Sequence, residues 1–197
     1  MTLQSNSQYP KNLLLIFTRN PELGKCKTRL AAKVGDQKAL EIYTFLLDHT
    51  HAITKEVNAT KEVLYSEEIW EDDIWESDHY HKKLQQGEDL GERMSNAFLD
   101  GFEAGYSNII IIGSDMYDLS TADLNLAFSE LENNPFVIGP AEDGGYYLLG
   151  MSKMNTKLFK NKAWGTETVL KDTLNDLTNE DVKLLKPKND VDHYEDI

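Results

Sequence analysis

The residues best suited to chemistry in this sequence are cations that gather in one short segment of an acidic chain. The formal net charge of the 197 residues is −14, yet residues 18–30 contain a single acid, Glu22. A glycine-containing loop that leads into a helix presents backbone N–H groups and cations together, which suits a phosphate or a diphosphate. A basic surface that meets only solvent is the alternative. The candidate phosphate-binding residues are Arg19, Gly24, Lys25, Lys27 and Arg29.

A carboxylate follows the most apolar stretch of the chain. Residues 109–112 are four isoleucines, and Gly113, Ser114 and Asp115 come directly after them. Four consecutive apolar residues cannot alternate between a core and a wet face, so they predict a strand buried on both sides. Open α/β sheets bind ligands at the carboxyl ends of their strands. We therefore regard Asp115 as a candidate site residue, with a plain polar turn as the alternative.

Two acids near the end of the sequence are candidate metal ligands together with Asp115. Asp190 and Asp192 follow the last predicted strand, and a turn could return them to the edge where Asp115 lies. Carboxylates brought together repel each other, and a hard divalent cation removes that conflict. We expect Asp192, or Asp190 in its place, to share one Mg²⁺ or Mn²⁺ ion with Asp115. An acidic tail in solvent is the alternative.

The segment Asp143-Gly144-Gly145 is a strong turn signal that also carries a carboxylate. Asp143 could act as a base toward an acceptor hydroxyl, although turn chemistry alone explains an aspartate at this position. We expect Gly144 and Gly145 to hold backbone conformations that a side chain would strain, beside a pocket lined by Tyr146 or Tyr147.

Several kinds of chemistry lack the residues that they need. The basic loop has neither the P-loop spacing nor a G-x-G-x-x-G pattern, and the chain has no G-x-S-x-G or HExxH motif. Cys26 is the only cysteine, which excludes an internal disulfide and a cysteine metal cluster. The net charge disfavours nucleic acid and anionic lipid, and the first apolar run is too short for a signal peptide or membrane span. We expect a cytoplasmic protein with neither partner.

Strands alternate with helices along the predicted chain. Apolar runs predict strands at 12–17, 63–65, 109–112, 136–139, 146–151 and 182–185. Helical spacing predicts helices at 37–51, 94–102, 120–131 and 170–177, and Thr28 is expected to cap a helix after the basic loop. This order predicts one α/β domain over residues 1–197 with a largely parallel central sheet.

Five blocks of sequence, taken in order, resemble a bacterial family of glycosyltransferase-A-like proteins. They cover nearly the whole chain, and the block at 140–150 is the most specific of them. The family usually has a proline two residues after the aspartate, where this chain has Tyr117, and the segment 163–166 also resembles a family motif. The blocks are residues 17–21 with 24–30, 86–87 with 89–94, 113–115, 139–141 with 143–147, and 190–192.

The resemblance implies the three-layer α/β/α fold of nucleotide-diphospho-sugar transferases, which molybdenum-cofactor and phospholactate nucleotidyltransferases share. By position, the basic loop would hold nucleotide phosphates, and Asp115 would hold Mg²⁺ or Mn²⁺. Lys27, Asp115 and Asp143 would be the catalytic candidates. The segments 86–91 and 143–147 would form the pocket walls, with the candidate binding residues Gln86, Gly87, Gly91, Gly144, Gly145 and Tyr146.

Two functions of different classes remain open. One is a metal-dependent transferase that uses a nucleoside triphosphate or a nucleotide-sugar and an unidentified small-molecule acceptor. The other is a nucleotide-binding or scaffolding protein that has kept the fold without turnover. Glycosyl and nucleotidyl transfer need the same donor site, so the sequence does not separate these two reactions, and it leaves the oligomeric state open.

Overall fold

The computed structural model describes residues 11–189 and residue 191. Seven strands in this range form one sheet: β1 (Asn12–Thr18), β2 (Thr60–Tyr65), β3 (His81–Leu84), β4 (Asn108–Gly113), β5 (Phe136–Pro140), β6 (Tyr146–Met151) and β7 (Val182–Leu184). The α-helices are α1 (Thr28–Val34), α2 (Asp36–Lys55), α3 (Leu90–Glu103), α4 (Thr121–Glu130) and α5 (Val169–Asp176), and a 3-10 turn spans Thr156–Phe159.

The sheet is mostly parallel, as the sequence predicts. Its strand order is β3-β2-β1-β4-β6-β5-β7. Strand β6 runs antiparallel to both of its neighbours, β4 and β5, and every other pair is parallel. A sheet of this kind needs helices on both faces, because its strands are buried on both sides.

The isoleucines of β4 show how the two faces are covered. Ile110 and Ile112 pack in a core with residues of α2 and α4, whereas Ile109 and Ile111 pack in a second core with residues of α3. Alternate residues of a strand point to opposite faces, so a run of four supplies two side chains to each core. The predicted three-layer α/β/α architecture is confirmed.

One edge of the sheet collects the loops that matter for the site. Strands β1, β2, β3 and β4 are parallel, so the segments after them leave at the same edge. Strand β6 runs the other way and begins there, where Tyr146 pairs with Pro140 at the end of β5. The basic loop, Asp115 and the turn at 141–145 therefore reach this edge together.

The structure corrects one local expectation and adds one strand. Thr28 is the first residue of α1 and does not cap it; Lys27 holds the N-cap position without a side-chain cap hydrogen bond. Strand β3 was not predicted, because it is a short edge strand with His81, Lys82 and Lys83 and no apolar run. Lysines on an edge strand discourage pairing with other chains, so such strands lack the usual pattern.

No helix in the described part is long and apolar enough to cross a membrane.

Candidate functional site

A cleft of about 630 Å³ opens at the carboxyl ends of β1 and β4. Among the described residues, more cations than acids line it. The acids are Glu88, Asp89 and Asp115, and the cations are Arg19, Lys25, Lys27, Arg29 and Arg93. Four of these cations belong to the predicted basic loop, so the structure brings that loop and Asp115 into one cavity.

The hydroxyl of Tyr43 fixes the start of the basic loop. It accepts a hydrogen bond from the Arg19 N–H (3.0 Å) and donates one to the Arg19 carbonyl (3.1 Å). The same hydroxyl lies 3.2 Å from the Ser114 Oγ, which donates to the Thr18 Oγ1 at 3.0 Å. Burial raises the pKa of Tyr43, so the phenol stays a neutral hydrogen-bonding group at physiological pH. This network joins α2, β1 and the end of β4.

Lys27 and Asp115 form the centre of the cleft. The Lys27 Nζ lies 2.7 Å from the Asp115 Oδ2, and the lysine side chain is 4% exposed whereas that of the aspartate is 42% exposed. Lys27 also has a left-handed backbone with φ of 48°. A non-glycine residue in that conformation costs about 1–3 kcal/mol and persists only where its surroundings hold it. The ion pair and the loop therefore fix the ammonium in place beside the carboxylate.

Lys25 and Gly24 complete the loop in different ways. The Lys25 ammonium contacts the carboxylates of Glu22 (3.0 Å) and Glu67 (3.2 Å), and these hydrogen bonds raise its pKa. Gly24 does not line the cleft but turns the chain with φ of +76°. Lys25 is thus a partly neutralised cation at the rim, and Gly24 has a conformational role.

The described residues supply only part of a site for a divalent cation. Within residues 11–189 and 191, no three His, Cys, Asp or Glu side chains gather as metal ligands. Asp115 supplies one carboxylate, and the expected partners Asp190 and Asp192 lie outside the described residues. Mg²⁺ is commonly held by one or two carboxylates while substrate phosphates and water complete its shell. Asp115 therefore fits a cation that arrives with a phosphate, and the shared ion stays a prediction.

The loop before α3 forms another wall of the cleft. Asp89 caps α3 by accepting a hydrogen bond from the Glu92 N–H at 2.9 Å. Arg93 extends back from the helix, where its Nε donates to the Gly87 carbonyl (3.0 Å) and its Nη1 to the Gln85 Oε1 (3.4 Å). Sequence reasoning did not select Arg93. Its position four residues after a helix-capping aspartate is the signal that could have identified it.

Three predicted binding residues support this wall without lining the cleft. The Gln86 carbonyl accepts a hydrogen bond from the Asn96 amide at 2.8 Å. A Cβ at Gly87, whose φ is +141°, would lie 2.8 Å from the Arg93 nitrogen. Gly91 is buried within α3. None of the three lines the cleft, so the structure does not place them where the expected contact with a ligand would be. They shape the loop and pack the helix instead.

Ser66 places a polar atom in the cleft wall at the end of β2. Its backbone N–H donates to the Thr18 carbonyl at 3.0 Å, which joins the wall to β1. Its buried Oγ has no hydrogen-bond partner among the described residues. Buried polar atoms normally have partners, so this hydroxyl is an unsatisfied group beside the cleft.

A second, apolar pocket of about 230 Å³ adjoins the cleft, and Phe17 and Leu90 line both cavities. Asp143, Gly145 and Tyr146 line this second pocket, so the structure places these predicted residues beside the apolar pocket and not beside the basic loop. The remaining lining comes mainly from Met94, Gly113, Tyr147, Trp164 and Val169.

The segment 163–169 forms one wall of the apolar pocket because glycines allow it to approach. A Cβ at Gly91 would lie 2.7 Å from the Trp164 Nε1, and a Cβ at Gly144 would overlap the Glu167 carbonyl. The Leu170 N–H donates to the Gly144 carbonyl at 2.9 Å. The resemblance included residues 163–166 without a role, and the structure shows that Trp164 belongs to the pocket.

The turn at 143–145 only partly matches its prediction. Gly144 has φ of +90°, as expected for a position that requires glycine. Gly145 does not have a positive φ, and a Cβ there would meet only the Asp143 carboxylate, at 3.2 Å. The expected strain at Gly145 is therefore wrong. The Gly145 N–H donates to the Asp143 Oδ1 at 2.8 Å, so Asp143 shapes the turn as well as lining the pocket.

The substitution of Tyr117 for the family's usual proline leaves Asp115 at the cleft. The Tyr117 ring packs against α2, with its centroid 5.6 Å from that of Phe45 and 5.0 Å from that of His49. The turn beyond the aspartate is thus held by aromatic packing.

Solved structures of other proteins share this fold. An inferred nucleotide-diphospho-sugar transferase from Desulfovibrio desulfuricans is 30% identical with a TM-score of 0.88, over 94% of this chain and 84% of that chain. A cytidylyltransferase from Leptospira borgpetersenii is 15% identical with a TM-score of 0.63, over 95% of this chain and 84% of that one. A Mycobacterium tuberculosis protein in complex with manganese is 13% identical with a TM-score of 0.57, over 94% of this chain and 95% of that one. The last two show the fold alone.

The family relationship is visible in the sequence itself. No curated protein matches the chain. Residues 49–166 match the model of DUF2064, described as an uncharacterized protein conserved in bacteria. The matched segment includes Asp115, the loop before α3 and the turn at 143–145. The chain therefore belongs to the bacterial family DUF2064 and has the fold of the nucleotide-diphospho-sugar transferases.

Proposed function

We propose that this protein is a metal-dependent transferase that uses a nucleoside triphosphate or a nucleotide-sugar, and that the cleft binds the phosphates of this donor. The observation that carries the proposal is the gathering of five cations at one sheet edge in a chain of net charge −14. The relative at 30% identity, described as an inferred nucleotide-diphospho-sugar transferase, supports the same class of donor.

The cations have a direct part in such a reaction. Transfer of a glycosyl or nucleotidyl group from a diphosphate develops negative charge on the departing phosphate, and fixed positive charges stabilise it. Lys27 is suited to this role because its ion pair with Asp115 holds the ammonium in place before the donor binds. Arg29, which also lines the cleft, has a guanidinium that can bind two phosphate oxygens at once.

Asp115 is the residue that would hold Mg²⁺ or Mn²⁺ in this site. When bound, the cation would add charge stabilisation at the phosphate oxygens. Manganese is present in the complex from Mycobacterium tuberculosis, whose fold resembles this one. A cation held by Asp115 would lie beside the Lys27 ammonium, so both positive charges would act on the donor phosphates.

The first test is a binding screen. Thermal shift and calorimetry with CTP, GTP, UTP, ATP and UDP-glucose, each with Mn²⁺ and with EDTA, would identify the donor. For the ligand that binds, Lys27→Ala and Arg29→Ala should each lower affinity by about 1.5–3 kcal/mol, the scale of hydrogen bonds to charged groups.

Lys11→Ala is the matched control for these variants. The Lys11 ammonium pairs with Glu132 at 2.6 Å beside the start of β1, away from the cleft, so its removal should leave nucleotide affinity unchanged. Equal affinity in wild type, Lys27→Ala and Arg29→Ala, with all three folded, would refute the phosphate assignment. Binding without consumption of the donor, across a range of acceptors, would instead favour the non-catalytic alternative.

A further inference from the structure

The apolar pocket differs from the neighbouring cleft in charge. Five cations line the cleft, whereas Asp143 is the only charged side chain among the described residues that line the pocket. Its other walls are mainly aromatic and aliphatic, with Phe17, Met94 and Trp164 among them. No cation of the described residues lines this pocket, so a phosphate there would face a carboxylate without a cation in the pocket wall. Burial of an unpaired charge is strongly unfavourable.

The two cavities meet at the carboxyl end of β4. Gly113 lines the pocket and Asp115 lines the cleft. A Cβ on Gly113 would lie 3.1 Å from the Asp115 Oδ1, so that carboxylate stands at the boundary between them. Phe17 and Leu90 are shared walls. A molecule in the pocket would thus lie next to a donor whose phosphates occupy the cleft.

The pocket is held in shape before any ligand binds. Trp164 packs over Gly91 on α3, where a side chain would collide with the indole. The backbone of Gly144 packs against Glu167 and accepts a hydrogen bond from the Leu170 N–H. A preformed, mostly apolar cavity with a few polar groups is the usual form of a small-molecule site. Its 230 Å³ is below the usual range of pockets for drug-sized ligands, so only a small group would fit.

We propose that this pocket binds the acceptor, and that the acceptor is an uncharged hydroxyl compound with a small apolar face, not a phosphorylated one. The inference rests on the proposed function of the cleft. It adds the chemical class of the second substrate, which the donor site alone does not define.

The transfer then balances as follows. The acceptor oxygen supplies the electron pair for a new bond to the transferred glycosyl carbon or α-phosphorus. The bond from that atom to the departing phosphate oxygen breaks, and its electron pair leaves with the nucleoside diphosphate or pyrophosphate. The hydroxyl proton passes to the Asp143 carboxylate, the one carboxylate among the described residues that line the pocket.

The test compares uncharged alcohols with their own phosphate monoesters. ¹⁵N-labelled protein is titrated with 2-phenylethanol, cyclohexanol and methyl glucoside, and with the monoester of each, while the Trp164 indole signal is followed by NMR. Trp164→Phe identifies that signal. We expect at least one alcohol to shift it, and the matching ester to bind roughly tenfold or more weakly, because the ester must bury an unpaired anion.

Two variants locate the binding. Gly145→Val should block the pocket, because residue 145 lines it and its backbone does not have a positive φ. Trp164→Ala removes a wall and tests the same point if the valine variant fails to fold; in that variant the backbone amide signal of Gly145, which also lines the pocket, is followed in place of the indole signal. Alcohol binding should be lost in both and kept in Lys27→Ala.

Nucleotide binding, measured on the same samples, separates the two proposals. If the nucleotide binds but the esters bind more tightly than the alcohols, the acceptor class is overturned and the donor cleft stands. The same holds if the nucleotide binds and no alcohol shifts the signal. Absence of nucleotide binding would refute the proposed function. In that case a shift of the Trp164 signal by the alcohols would still support an uncharged ligand in the pocket.

Discussion

The hydroxyl of Tyr43 connects three segments of the cleft that are far apart in sequence. It bonds both backbone groups of Arg19 and lies next to Ser114, one residue before Asp115. The helical spacing of residues 37–51 predicts that Tyr43 is buried, and its side chain is buried. Periodicity reports which face of a helix is apolar but not where a hydroxyl points, so this role could not be read from the pattern.

Removal of that hydroxyl should affect both stability and binding. Tyr43→Phe leaves the Arg19 N–H and carbonyl without their partner, which should lower the free energy of unfolding by about 1–3 kcal/mol. Nucleotide affinity should fall as well, because the basic loop loses its attachment to α2. Urea unfolding and calorimetry measure the two effects. Tyr106→Phe is the control. If Tyr43→Phe changes the free energy of unfolding and the nucleotide affinity no more than Tyr106→Phe does, the Tyr43 hydroxyl does not hold the loop.

At the scale of elements, two segments pack closely where a turn or a helix carries a glycine. The segment 163–169 reaches the pocket because Gly91 and Gly144 leave room for it. Strands β1, β4, β5 and β6 were predictable, since their apolar runs report burial on both faces. The short edge strand β3 was not, because its lysines and histidine carry no such signal. The packing of Trp164 on α3 is a contact between distant segments that no local pattern encodes.

The two adjacent glycines of the turn should respond differently to alanine. Gly144→Ala forces a side chain into a positive φ and against the Glu167 backbone, which should destabilise the protein by about 2–4 kcal/mol. Gly145→Ala meets only the flexible Asp143 carboxylate at 3.2 Å, so its effect should stay within about 1 kcal/mol. Urea denaturation of both variants measures the difference. Equal losses would contradict the assignment of the required glycine to position 144.

The acidic segment after β2, residues 67–78, is attached by ion pairs to the elements beside it. The Glu76 Oε2 lies 2.8 Å from the His51 Nε2, and the Lys82 ammonium lies 2.8 Å from the Asp73 Oδ1. The hydrogen bond with His51 lowers the pKa of Glu76 from 4.5 to about 2. A lowered carboxyl pKa contributes stability that is present above pH 4.5 and is lost as the pH falls toward 2.

The variant Glu76→Gln should therefore change the pH dependence of unfolding. Between pH 4.5 and 2 the wild type should lose stability more steeply than the variant, because only the wild type takes up a proton at this position. Urea titrations across that range measure both slopes. Glu103→Gln, an exposed change on α3, is the control. Identical slopes in wild type and Glu76→Gln would show that the ion pair does not hold this segment.

At the scale of the whole molecule, the sheet explains how an acidic chain can gather cations at one site, as the proposed anionic donor requires. Parallel strands deliver their following loops to one edge, so the cations of the basic loop and the Asp115 carboxylate meet there. The sequence predicted this convergence because apolar runs located the strands and the residues after them are polar. It did not predict that the cleft and the apolar pocket are separate, since that depends on Phe17 and Leu90 standing between them.

The central claim is that Lys27 and Asp115 form a centre that binds a donor phosphate and its cation together. Without metal, the Asp115 carboxylate holds the Lys27 ammonium at 2.7 Å and repels a phosphate, so Asp115→Asn should leave nucleotide affinity equal or higher. With Mn²⁺, the same variant loses a metal ligand, so its affinity should fall roughly tenfold or more, the effect of losing one charge-assisted contact.

Calorimetric titration of the donor nucleotide into wild type and Asp115→Asn, each with EDTA and with Mn²⁺, tests this claim most directly. Lys27→Met in the same series should weaken binding under both conditions, because we expect its ammonium to contact phosphate with or without the cation. The account predicts that the effect of Asp115→Asn depends on Mn²⁺, with a loss of affinity only when the metal is present. An equal loss with EDTA and with Mn²⁺, or no loss in either, would contradict it.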